Sequence, residues 1–177
     1  NTIGLWKTDG TAQGTVLVKE NIRPNWMVAV GNTLFFSVSD SLGRELWKSD
    51  GTTEGTEMVK DINPGGVDNT TWTVNSSAPR WLTEVNGSLF FTADDGTNGR
   101  ELWVSDGTEN GTVMVKDINS GNLSSFGWNG YSRLIDMGAE VYFAADDGIH
   151  GTELWKSDGT TEGTVLIEDI DTDGSAL

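Results

Sequence analysis

One sequence unit occurs four times in the chain and constrains its fold more than any other feature. Three copies begin with Glu-Leu-Trp, at Glu45, Glu101 and Glu153, and a variant copy begins at Gly4. In every copy the Trp stands three residues before an Asp-Gly-Thr triplet, and a second Gly-Thr begins five residues after that Asp. Successive Trp residues are 41, 56 and 52 positions apart. A fixed interior with variable spacing indicates a repeated structural unit whose copies are joined by loops.

The repeated unit has the character of a β-hairpin. In the third copy, strands are predicted over residues 101–105 and 112–118, on either side of a turn rich in Gly, Asp and Thr. Upstream of the last three copies, a second hairpin is predicted around a two-residue turn that contains Gly. Its returning strand carries two adjacent aromatic residues, at 35–36, 90–91 and 142–143. Adjacent residues of a strand point to opposite faces, so both faces of this sheet must be covered.

Together the two hairpins predict an all-β, β-propeller-like fold built from four-stranded antiparallel blades, with strands A to D in chain order. Strand counting gives about 3.5 blades, fewer than the roughly four to eight of closed propellers. We therefore expect one repeat domain that is part of a larger propeller or assembly, with exposed blade faces. Its divisions are a half blade over 1–26 and blades with their loops over 27–81, 82–133 and 134–177. A β-solenoid of stacked hairpins is the alternative fold.

The composition excludes several classes of protein. With 27 acidic against 11 basic residues, the net charge is -16, so nucleic acid is not an expected partner. No apolar run approaches the roughly 18 residues that span a bilayer, so membrane insertion is not expected either. The chain has no Cys, which excludes disulfides and thiolate metal sites. It starts inside a repeat without a signal peptide, which we interpret as the start of a processed or truncated chain.

The repeats resemble the bacterial ELWxxDGT repeat family. The resemblance covers nearly all of the chain and is carried by residues 45–47 with 50–52, 101–103 with 106–108, and 153–155 with 158–160. The first copy departs from the pattern because Gly4 stands in place of the Glu. The resemblance implies a modular protein that is secreted or lies on the cell surface, and it implies no particular reaction.

The repeated Trp and Asp residues are predicted to be structural. A Trp at one fixed strand position in every unit indicates packing between neighbouring sheets. An Asp at the start of a tight turn indicates a carboxylate that accepts hydrogen bonds from the turn's own N–H groups. These residues are Trp6, Trp47, Trp103, Trp155, Asp9, Asp50, Asp106 and Asp158.

The loops from strand D to the next strand A are the predicted ligand-binding face, because loops on a rigid scaffold often carry function. Their aromatic residues, which lie among Asn, Ser and Gly, are Trp72, Trp81, Trp128 and Tyr131. Rings can stack on the C–H faces of sugars while polar groups bond the hydroxyls. We therefore predict an extracellular module for binding or adhesion, to carbohydrate or to another surface protein, through the D-to-A and B-to-C loops. Alternatively, the rings only pin the loops to the blades.

Two other functions are weighed. Open blade edges predict a structural module that self-associates into an oligomer or fibre. A glycoside hydrolase with paired carboxylates is the second alternative. We predict that the chain is not an enzyme, since His150 is the only His and the acidic residues recur in register, as turn elements do. A multi-His zinc site is thereby excluded.

Calcium is the one cofactor that the sequence suggests. Asp169, Asp171 and Asp173 alternate as in the opening of an EF-hand loop, although the closing Glu is missing. Paired acids in the B-to-C loops form a second candidate set of ligands, and they are Asp94, Asp95, Asp146 and Asp147. Both sets are predicted Ca²⁺ ligands.

Overall fold

The computed structural model of the chain describes residues 2–65, 75–127, 133–170, 172 and 174. Within these ranges it contains fourteen β-strands and no helix, and therefore none that could cross a membrane. The strands are β1 (Gly4–Lys7), β2 (Val16–Glu20), β3 (Asn25–Val30), β4 (Thr33–Asp40), β5 (Gly43–Ser49), β6 (Glu57–Lys60), β7 (Arg80–Val85), β8 (Ser88–Asp94), β9 (Arg100–Ser105), β10 (Val113–Lys116), β11 (Ile135–Asp136), β12 (Val141–Asp146), β13 (Thr152–Ser157) and β14 (Val165–Glu168).

These strands form one two-stranded and three four-stranded antiparallel sheets, each in chain order. We call them the half-blade (β1 and β2), blade 1 (β3 to β6), blade 2 (β7 to β10) and blade 3 (β11 to β14). The predicted all-β, propeller-like architecture with four-stranded blades is confirmed.

Each blade packs against the next through apolar side chains from both. The aromatic pair of the second strand divides between the two faces, as strand alternation requires. Phe35 lies in the core between blades 1 and 2, whereas Phe36 lies in the core between the half-blade and blade 1. The repeated Trp residues join the same cores: Trp103 and Trp155 are each only 6% exposed. Trp6 is 48% exposed.

The Asp-Gly-Thr turn has the same hydrogen bonds in all four copies. Asp50 Oδ1 accepts hydrogen bonds from Thr52 Oγ1 at 2.7 Å and Thr52 N at 2.8 Å, and Gly55 N donates to Thr52 Oγ1 at 2.9 Å. The hydrogen bond from the Thr52 hydroxyl is the main reason that the pKa of Asp50 is lowered. The corresponding pairs elsewhere are Asp9 with Thr11, Asp106 with Thr108, and Asp158 with Thr160.

A Lys in the last strand of each unit ties that unit to the next. Lys60 Nζ donates to Thr112 O at 2.8 Å, from blade 1 to blade 2. Lys116 Nζ donates to Thr164 O at 2.8 Å, from blade 2 to blade 3. Because the cations meet backbone carbonyls instead of carboxylates, these contacts fix the stacking of blades without using the chain's many acids.

The Glu of the repeated Glu-Leu-Trp is a buried anchor for the chain that leaves the blade. Glu45, Glu101 and Glu153 are fully buried. The carboxylate of Glu101 accepts hydrogen bonds from Ile118 N at 3.1 Å, Ser125 N at 3.1 Å and Ser125 Oγ. That of Glu45 accepts the same set one blade earlier, from Ile62 N, Ser77 N and Ser77 Oγ. Glu153 accepts a hydrogen bond from Ile170 N at 3.2 Å.

We expect the free energy of unfolding to increase as the pH is lowered from about 8 to about 5. Burial raises the pKa of Glu101 from 4.5 to about 7, although the hydrogen bonds from Ser125 and Ile118 oppose the shift. Burial also raises the pKa of Glu45. The folded state then holds a proton that the unfolded state releases. This contribution is complete below about pH 4.3 and is lost as the pH rises through about 7.

Urea denaturation at pH 5 and pH 8 measures this effect, which we expect to be roughly 1 to 2 kcal/mol from Glu101. The Glu101→Gln variant, which has nothing to titrate at this position, is the control and should show a smaller difference. Stability that is constant or rises between pH 5 and pH 8 in the parent chain would contradict the prediction.

Candidate ligand-binding site

Two Trp residues occupy equivalent, unusual positions in the first strands of blades 1 and 2. Trp26 lies at a register shift in the pairing of β3 with β4, and Trp81 lies at one in the pairing of β7 with β8. Both have a left-handed backbone, with φ of 54° and 55°. This conformation costs a residue with a side chain about 1 to 2 kcal/mol. Bulges of this kind re-aim a side chain, and the same one recurs here at one position of two blades.

Arg133 completes the series in blade 3. Pairing with the first aromatic of the neighbouring strand makes Val28, Thr83 and Ile135 equivalent. Trp26, Trp81 and Arg133 each stand two residues before these positions. We call these three residues the Trp-Arg platform.

The side chains of the platform contact one another in sequence. The rings of Trp26 and Trp81 meet edge to face, with centroids 4.9 Å apart and planes at 62°. The guanidinium carbon of Arg133 lies 5.9 Å from the centroid of the Trp81 ring. Trp81 packs on the core between blades 2 and 3, whereas Trp26 is 42% exposed and Arg133 is exposed. The result is a supported aromatic surface with one face open to solvent.

The platform lines a depression of about 250 Å³ together with Leu82, Thr83 and Leu134. None of these lining residues carries a carboxyl group. The guanidinium is therefore the one formal charge among them, and it offers five N–H donors to an approaching ligand. Indole faces with fixed donors beside them suit a ligand that has an apolar face and oxygen acceptors at its edge.

The predicted loop-face residues divide as follows. Trp81 is part of the platform, whereas Trp72, Trp128 and Tyr131 lie outside the described residues. Phe126, in the loop before blade 3, is fully buried with its ring centroid 5.4 Å from that of Phe143. This ring pins its loop to the blade, as the alternative interpretation of the loop aromatics predicts.

Sequence reasoning missed Trp26 and Arg133. Trp26 immediately precedes the segment that was aligned as the start of a blade, and Arg133 does not resemble the Trp residues at its equivalent positions. The signal available was the aromatic pair in the next strand, since counting back from it places all three residues in one register.

The paired acids of the loops between second and third strands bond their own loops. Asp95 Oδ1 accepts hydrogen bonds from Thr97 N and Asn98 N. Asp147 Oδ1 accepts hydrogen bonds from two N–H groups in the same way, and its Oδ2 lies 2.7 Å from His150 Nδ1. The neighbouring Asp94 and Asp146 each accept one hydrogen bond, from Gly96 N and Gly148 N respectively.

The residues proposed to bind calcium from the chain's last segment are only partly described. Asp169 follows β14, whereas Asp171 and Asp173 lie outside the described residues. Within the described ranges, no three His, Asp or Glu side chains come together as a set able to hold a metal ion. Calcium binding stays a prediction.

Comparison with known proteins gives two thin structural likenesses. No family model matches the chain, and neither does any curated protein. A putative exo-β-1,3-galactanase from Bifidobacterium bifidum s17 is 15% identical, with a TM-score of 0.37 over 93% of this chain and 56% of that one. An α-L-arabinofuranosidase from Clostridium thermocellum ATCC 27405 is 16% identical, with a TM-score of 0.36 over 85% of this chain and 52% of that one. The chain thus spans about half the length of each.

The prediction that the chain is not an enzyme is contradicted by this comparison, because both similar structures are described as glycoside-cleaving enzymes. It is therefore withdrawn. Likenesses at these TM-scores assign no activity to the chain. The resemblance to the ELWxxDGT repeats, and the extracellular location that it implies, stay predictions.

Proposed function

We propose that the chain is a carbohydrate-recognition module and that the Trp-Arg platform binds the sugar. The observation that carries this proposal is the left-handed bulge that recurs at Trp26 and Trp81. A conformation unfavourable to Trp, held at the same position in two blades, keeps a large apolar side chain 42% exposed at Trp26. A purely structural Trp gains nothing from such exposure, whereas a stacking surface needs it.

The chemistry of the platform suits a saccharide. The exposed face of Trp26 accepts the C–H face of a sugar ring, and Trp81 fixes the orientation of that indole from below. Arg133 donates to ring or hydroxyl oxygens at the edge of the sugar. The depression, at about 250 Å³, is smaller than the roughly 300 to 1,000 Å³ of most ligand pockets. We infer that it takes one or two sugar units of a longer chain.

The wider function follows from this recognition and from the resemblance to ELWxxDGT repeats. We place the module outside the cell, where binding of glycans would attach the larger protein to a surface. Adhesion to a surface protein and self-association through open blade edges are the alternatives, and each predicts binding that does not depend on Trp26.

Replacing Trp81 by Ala is expected to lower affinity for oligosaccharides at least tenfold, because the support of the stacking surface is lost. Trp26→Asn should do the same and leave stability nearly unchanged, since Asn tolerates a left-handed backbone. Trp6→Ala removes another exposed indole away from the platform and is the matched control. Titrations of the chain with a panel of neutral and acidic oligosaccharides, followed by NMR, measure the affinities.

Release of sugar products is measured in the same samples, so that recognition and hydrolysis are distinguished. Binding that is equal in the parent chain and in the Trp26 and Trp81 variants would place the site elsewhere. A folded chain that binds none of the saccharides would refute the proposal.

A further inference from the structure

We propose that the outer edge of β1 binds an extended peptide segment of the kind found in β4 and β8, which completes the half-blade as a third strand. In each complete blade the third strand lies between two others: β5, for example, pairs with β4 and β6. Among the described residues, β1 pairs with β2 alone. An edge strand offers a row of backbone donors and acceptors to an added strand.

The complete interfaces identify the side chains that such a strand must bring. Phe35, from the second strand of blade 1, packs on the turn of blade 2, with its ring tip 3.0 Å from where a Cβ on Gly107 would be. Phe90 packs in the same way on Gly159, at 3.1 Å. At the equivalent Gly51, the only atoms within 4 Å of such a position come from Lys7. The interface of the half-blade therefore has no aromatic ring at this turn.

A cavity lies where that ring would be. It has a volume of about 240 Å³ and is lined by residues of β1, by Val18, by Leu34 and by the turn at Gly51. The cavity runs beside the backbone of β1, where a paired strand would lie. An aromatic side chain from a strand added at this edge has the position and the size to fill it.

The second aromatic of the added strand also has a partner. In the complete blades it stands directly across from the repeated Trp, as Phe36 across from Trp47 and Phe91 across from Trp103. The rings of Phe91 and Trp103 have centroids 6.4 Å apart. On β1 the corresponding Trp6 is 48% exposed, against 6% for Trp103. Both halves of an aromatic pair are thus accommodated, one in the cavity and one beside Trp6.

The occupant is a segment from outside residues 1–177 and not a second copy of the chain. Within a copy, the strands that carry the aromatic pair are β4, β8 and β12. Each of them is paired on both sides. A second copy would have to unfold a blade to donate one of them.

The test adds a synthetic peptide with the sequence of residues 86–95, which reproduces β8, to the intact chain. We expect a one-to-one complex, slowed hydrogen exchange at the amides of Gly4–Lys7 and a change in Trp6 fluorescence. Peptides with Ala at the position of Phe90 or of Phe91 are the controls and should bind at least tenfold more weakly. A scrambled peptide of the same composition should not bind.

Two outcomes would overturn the proposal. One is a lack of binding at millimolar peptide. The other is protection of β1 in the chain alone, with a doubled mass by light scattering, which would mean that two β1 edges pair with each other. Neither outcome bears on the Trp-Arg platform, whose test uses saccharides and different residues.

Discussion

Replacing Glu101 by Ala is expected to lower the free energy of unfolding by about 3 to 5 kcal/mol, as the loss of a buried charged partner does. The side chain is fully buried and accepts hydrogen bonds from Ile118 N, Ser125 N and Ser125 Oγ. Alanine leaves these three donors without their acceptor, at a cost of about 1 to 3 kcal/mol for each donor that stays buried. It also leaves a cavity between blade 2 and the chain that leads to blade 3.

Urea denaturation measures the loss, and Glu57→Ala is its matched control. Glu57 lies in β6, with a side chain 57% exposed and 3.2 Å from Lys48 Nζ. Exposed pairs of this kind contribute about 1 kcal/mol or less. Hydrogen exchange should show the damage at the amides of Ile118 and Ser125. If the two Ala variants lost equal stability, the Glu of the repeat would not be an anchor.

The turns and strands of this protein could be predicted because their causes are local. Alternation of apolar residues and the Asp-Gly-Thr turn lie within a few residues of each other, so the pattern survives in the sequence alone. Strand ends were less accurate. The strand predicted over 112–118 ends at Lys116, because Ile118 N turns to the carboxylate of Glu101 instead of to a neighbouring strand.

The anchor and the platform could not be predicted because their partners are distant. Glu101 meets residues 17 and 24 positions later in the chain. The rings of Trp26 and Trp81 lie 4.9 Å apart across two blades. Nothing in the spacing of either set is periodic within a unit. Trp26 in particular needs the left-handed backbone to reach its neighbour, and a strand pattern predicts the opposite conformation.

A substitution of Gly111 by Ala is expected to lower the free energy of unfolding by about 2 to 3 kcal/mol. The second Gly of each repeat is required by close packing and not by an unusual backbone. A Cβ at Gly111 would overlap the carboxylate of Asp106, and the same overlap exists between Gly55 and Asp50. The carboxylate must then move, and it loses its hydrogen bonds from Thr108 N at 2.8 Å and Thr108 Oγ1 at 2.7 Å.

A double-mutant cycle with Asp106→Ala separates this cause from a general intolerance of Ala. Once the carboxylate is gone, the added methyl group has room, so Gly111→Ala should cost less than about 1 kcal/mol in that background. The expected coupling is about 1 to 2 kcal/mol, within the range for residues in contact. Repeating the cycle at Gly163 and Asp158 should give the same coupling, because the contact there is the same. Strictly additive losses would mean that the carboxylate does not select the glycine.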